Sequence, residues 1–104
     1  MGQYLYRIQP TRDGLLIEST LEEDRIVGEH FDYLKDLSDR GIVLLAGRTL
    51  NTDRSSFGIV VFVAEDDATA RGILENDPAV RAGVFHAELF PYRVALVGKD
   101  ILKT

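Results

Sequence analysis

The 104-residue chain has no cysteine. That absence excludes disulfide staples, thiolate metal sites and a cysteine nucleophile. Basic residues are in the minority: 12 Lys and Arg stand against 17 Asp and Glu, a net charge of −5. Such a surface is poorly suited to phosphate neutralisation, so no nucleic acid is expected as a partner. No apolar run approaches the roughly 20 residues needed to cross a bilayer, and no membrane partner is expected. The first ten residues, MGQYLYRIQP, lack the basic-then-apolar order of a secretory leader, and the expected location is cytoplasmic. Gly41, Gly47 and Gly58 follow no phosphate-loop spacing. Ser55 and Ser56 sit in a polar stretch without the context of a serine hydrolase. His30 and His86 share no recognisable ligand spacing with a carboxylate, so neither a metal nor another cofactor is expected.

What is present is ordinary globular composition, 45% hydrophobic and 28% charged, at a length that suits one domain over residues 1–104. Tyr4 to Gln9 is aromatic and apolar and closes at Pro10, which predicts a first strand. Thr20-Leu-Glu-Glu23 has capping-box spacing, so a helix is expected from Leu21 to about Arg40, with Gly41 as its left-handed stop. Ile42 to Thr49 and Phe57 to Ala64 read as the second and third strands. Asp66 and Asp67 offer a cap to a second helix that runs to about Asn76, where Pro78 ends it by disfavouring helical geometry at Asp77. Val84 to Tyr92 reads as a fourth strand, and residues 94–104 form a tail to which the pattern assigns no structure. The order β-α-β-β-α-β, with right-handed crossovers, predicts an α+β ferredoxin-like fold: a four-stranded antiparallel sheet in the order 4-1-3-2 with two helices on one face.

A sheet covered on one face should alternate apolar and polar residues along its strands. Ile59 to Val63 (IVVFV) and Ile42 to Ala46 (IVLLA) do not alternate. Both faces of these strands therefore need cover, and a second copy of the sheet supplies it, which predicts a homodimer and the architecture of a dimeric α/β barrel. Excess Val and Ile chosen for β-propensity is the plainer alternative.

On a helical wheel of about 100° per residue, Ile26, Val27, Tyr33, Leu34 and Leu37 all fall within roughly 60° of His30, while Glu29, Asp32, Asp36 and Asp39 lie on the other side. His30 is thus central on the buried stripe, where its polar ring needs a partner. A backbone carbonyl or a tyrosine would serve. So would Asp77, whose carboxylate is expected at the end of the second helix, where the macrodipole disfavours negative charge. Asp-Pro also simply makes a good turn. Arg48, at the end of the second strand, and Arg12, after the first, are candidate anion contacts, each set against the commoner role of a surface arginine paired with an acid. Tyr4, Tyr6 and Tyr33 could line a pocket or fill the core.

The chain resembles the YciI-like (YCII-related) family of small dimeric α/β-barrel proteins. The resemblance covers most of the chain. It is carried by Glu29 to Leu34 (EHFDYL), Gly41 to Gly47 (GIVLLAG), the apolar third strand, Asp77-Pro78 and Leu89 to Tyr92 (LFPY). It implies that His30 and Asp77 are the active-site pair. It supplies a site more securely than a reaction, since the family is mostly uncharacterised, with some members tied to the degradation of aromatic compounds. One departure concerns Arg48, which stands where the family often has proline and is expected to alter ligand preference. An Asp-held imidazole with its second nitrogen free is suited to general acid–base work. The expected function is therefore isomerisation, elimination or dehydrohalogenation of a small compound, aromatic compounds included, by a cofactor-independent lyase or isomerase. The alternatives are a non-catalytic module that binds or senses a small molecule in the same pocket, and an interaction subunit.

Overall fold

A computed structural model describes residues 1–99. The elements run β1 (Gly2–Pro10), α1 (Leu21–Asp39), β2 (Val43–Arg48), β3 (Gly58–Ala64), α2 (Asp67–Glu75), α3 (Pro78–Arg81) and β4 (Phe85–Tyr92). The strands form one antiparallel sheet in the order β2-β3-β1-β4, the ferredoxin-like arrangement expected. Among the described residues no helix is long and apolar enough to cross a membrane.

Alternation along β1 sets the layers. Tyr4, Tyr6 and Ile8 are buried and lie opposite Phe62, Val60 and Gly58 of β3. They pack with Ile26, Leu34 and Leu37 of α1 and with Ala70 and Leu74 of α2 in one core. Leu5 and Arg7 point to the other face, opposite Val61 and Ile59. The lack of alternation in β2, an edge strand of the sheet, has a physical basis. A register shift between Val43 and Leu45 leaves Leu44 as an extra residue in β2. Val43 is therefore buried under the helices, while Leu44 and Leu45 remain 49% and 43% exposed. On the helix-free face, Val61 is shielded to 4% by its neighbours, but Leu45, Phe90 and Tyr92 stay open.

Local signals fix the helix ends. The Thr20 hydroxyl accepts from the Glu23 N–H at 3.0 Å, and the Glu23 carboxylate accepts from the Thr20 N–H at 2.9 Å. Gly41, at φ +77°, donates its N–H to Ser38, and Ile42 donates to Leu37, which closes α1 in a Schellman turn. Asp66 caps α2 by accepting from the Thr69 N–H.

The chain departs from the two-helix expectation at Asp77. Pro78 does stop α2, but it then occupies the first turn of a short third helix, α3. Asp77 is the N-cap of α3 rather than a misplaced C-terminal carboxylate of α2, and it accepts from the Ala79 N–H at 3.0 Å. A carboxylate is favourable there, so the expected conflict with a helix macrodipole does not arise. Beyond β4, residues 94–99 have no helix or strand, and Val94 donates its N–H to Gln3. The remainder of the tail lies outside the described residues.

Arg12 tightens the entry to α1. Its guanidinium donates to both Glu23 oxygens, at 2.8 and 2.6 Å. Arg12 and then the Thr20 N–H hold the Glu23 carboxyl down at about 2, against an ordinary 4.5. A carboxyl depressed on folding contributes stability that is complete above its unfolded value and lost as pH falls through its folded one. Thr20→Ala should accordingly cost about 1 kcal/mol in urea unfolding at neutral pH. Wild-type stability should begin to fall below pH 4.5 and continue falling toward pH 2, and more steeply than that of Glu23→Gln.

Candidate functional site

Asp77 is fully buried, with 0% of its side chain exposed. Burial of a carboxylate is unfavourable unless its oxygens are satisfied, and here three elements supply the donors. Tyr6 of β1 donates its hydroxyl to Oδ2 at 2.7 Å. The Ala79 N–H of α3 donates to Oδ1. His30 of α1 places Nδ1 at 2.8 Å from both oxygens. Burial, followed by the charge of Asp77 and the bond to it, pushes the Tyr6 phenol well above its usual range, so the hydroxyl remains a donor. Tyr33, on the same side of α1, donates to the Ile73 carbonyl at 2.7 Å and ties α1 to α2. Burial and then the Asp77 charge push its phenol up to about 12.

A carboxylate is acceptor-only, so His30 Nδ1 is the donor in this contact. That tautomer leaves Nε2 as the acceptor when the ring is neutral. Among the described residues Nε2 has no hydrogen-bond partner, and no partnerless polar side-chain atom is buried, so Nε2 is reached from outside. The ring is 12% exposed and stands edge-on to Phe85, with centroids 5.3 Å apart. It borders a cleft of about 500 Å³ between α1 and the ends of β2 and β3. Leu34, Val43 and Val60 contribute to an apolar wall, and Ser38 and Ser56 bring hydroxyls.

His30 and Asp77 thus meet, and Arg48 lines the same cleft. Arg12 does not reach it: its guanidinium is committed to Glu23 and to the Glu18 carbonyl, beside a separate depression that also holds His86. No group of three His, Asp or Glu suited to a metal occurs among the described residues. Tyr6 is the member of the network that pattern alone leaves among core residues. Its signal is chemical: a tyrosine in the fully buried register of β1, where phenylalanine would pack without a polar debt, requires an acceptor.

These features define a ferredoxin-like α+β protein with a buried carboxylate–histidine pair opening on an apolar cleft. The YCII-related domain model matches residues 3–93, and the chain belongs to that family. No curated protein matches its sequence. Among solved structures it is similar to 5-chloro-2-hydroxyhydroquinone dehydrochlorinase (TftG) of Burkholderia phenoliruptrix in complex with 2,5-dihydroxybenzoquinone. The two are 20% identical over 86% of this chain and 93% of that one, with a TM-score of 0.63. It is also similar to an uncharacterised protein of Thermotoga maritima, at 11% identity over 88% of this chain and 95% of that one, TM-score 0.54.

Tyr6→Phe removes one oxygen and no bulk, and leaves Asp77 Oδ2 short of a donor. It should lower stability by about 1.5–3 kcal/mol, the range for hydrogen bonds to charged groups. Urea unfolding of the variant against wild type measures the loss.

Proposed function

We propose that the protein is a cofactor-independent enzyme in which His30 moves a proton on a small compound held in the cleft. The observation that carries this reading is the 2.8 Å contact of Nδ1 with a fully buried Asp77 on one side of the ring, with Nε2 accessible on the other. Nε2 takes a proton from an acidic carbon of the substrate, and the Asp77 charge stabilises the imidazolium that results. The electron pair left on carbon forms a double bond. In an elimination a halide departs with its own pair; in an isomerisation His30 returns the proton to a different carbon. Tyr6 and the Ala79 N–H hold the Asp77 carboxylate in place while the ring changes charge. The dehydrochlorinase of similar fold is associated with a small oxygenated ring. Chlorinated hydroquinones and related carbon acids are therefore the first compounds to assay.

With a turned-over compound in hand, His30→Ala and Asp77→Asn should each abolish most activity. The double variant should lose little more, because groups that act as a unit are non-additive. Turnover by His30→Ala at the wild-type rate would defeat the catalytic reading and favour a binding module.

We also propose that the protein works as a homodimer through the helix-free face of the sheet. Leu5, Leu45, Ile59, Phe90 and Tyr92 make that face apolar around the Arg7–Glu88 pair. A second copy of the same face would cover it symmetrically. Phe90→Glu, at a side chain 43% exposed in the single chain, should halve the mass seen by light scattering while preserving the far-UV spectrum. A wild-type protein that is monomeric at micromolar concentration would overturn the assignment.

A further inference from the structure

The cleft beside His30 is set apart from the rest of the molecule by its charge. Acidic residues number 17 of 104 in this chain. None of the described residues lining the cleft is acidic; the ionisable ones are His30, Lys35 and Arg48. Lys35 is paired with Asp39 at 2.9 Å. Arg48 has no carboxylate within 4.0 Å among the described residues, a lack it shares with Arg71, Arg81 and Arg93, but of these four it is Arg48 that lines the cleft; Arg7, Arg12, Arg25, Arg40 and Arg54 are each paired. The contact found for its guanidinium is a long one, 3.4 Å, to the neighbouring Thr49 carbonyl.

The register aims Arg48 toward the chemistry. It pairs with Gly58, and Gly58 pairs with Ile8, which belongs to the same face of β1 as Tyr6. Arg48 therefore leaves the sheet on the side covered by α1 and His30. A guanidinium stays charged at any working pH and presents a planar fork of donors that matches a carboxylate. Around it the walls are apolar, and two phenylalanines, Phe31 and Phe85, border the space. Phe57, at the margin of the cleft, has its ring beneath the Arg7 guanidinium, 5.1 Å from the ring centroid, toward the helix-free face.

We propose that Arg48 makes this cleft selective for small aromatic carboxylates. The carboxylate pairs with the guanidinium, and the ring lies beside Phe31 and Phe85. The position of the reacting carbon beside Nε2 rests on the acid–base reading above, whereas the charge selectivity does not. The absence of lining acids serves the same end, since a carboxylate in the wall would repel the ligand and claim the arginine.

Calorimetric titration with benzoate and with its uncharged counterpart benzamide tests the proposal on the full chain. Benzoate should bind wild type on the order of tenfold more tightly than benzamide, as expected for a charge-assisted forked contact. Arg48→Gln should remove that preference while leaving benzamide affinity unchanged, and Arg48→Lys should restore part of it. Equal affinities in wild type, a preference that survives in Arg48→Gln, or no binding of either compound at millimolar concentration would overturn it. His30→Gln separates this site from the acid–base reading. A benzoate preference retained alongside normal turnover in that variant defeats the role of His30 and leaves the carboxylate site standing. Lost turnover without any benzoate preference in wild type does the reverse.

Discussion

The arrangement of this protein depends on a single buried carboxylate. Asp77 is out of contact with solvent, and an ionised group in that position is tolerated only with its oxygens paired. Its donors come from β1, α1 and α3, so its satisfaction requires the sheet, the long helix and the α2–α3 junction to be in register together. The same three bonds that make burial acceptable also orient the histidine. Structural and chemical demands converge on one residue, and its donors cannot be altered for one purpose without disturbing the other.

The cleft follows from how unevenly the helices cover the sheet. α1 packs Ile26, Leu34 and Leu37 into the core it shares with the sheet, while β2 beyond Val43 carries exposed residues. The space left between them is walled by apolar side chains and admits solvent to one edge of the His30 ring. Around α1, acids are drawn into local pairs: Arg25 with Glu29, Lys35 with Asp39, and Arg40 with Asp36. Each such exposed pair is worth little to stability. Their effect on charge distribution is larger, because negative charge on the outer side of the helix stays away from the cleft.

Much of the fold is legible in the chain because its determinants are local. The Thr20–Glu23 box, the Gly41 stop, the Asp66 cap and the break at Pro78 each involve residues within a few positions of one another, and all appear where the pattern places them. The strand order follows from the sequence of elements together with the handedness of crossovers. The wheel that centres His30 among Ile26, Leu34 and Leu37 is likewise a property of one helix. The short helix α3 is harder to read. Four residues give no periodicity, and its cap, Asp77, is equally intelligible as the end of α2.

By itself the sequence determined the four strands and two longer helices, their order and the oddness of a histidine on an apolar stripe, since propensity, capping and periodicity act over a turn or two of chain. Only the tertiary structure decided the partners. Tyr6 and Asp77 are separated by 71 positions, and His30 and Asp77 by 47. Arg12 and Arg48 look alike in the sequence, one just after a strand and the other at a strand's end, in an acidic chain. One is claimed by Glu23, and the other faces a cleft with no counter-ion among the described residues. A side chain's partner is set by which elements the sheet register and helix packing bring to the same place, and spacing along one element does not encode that.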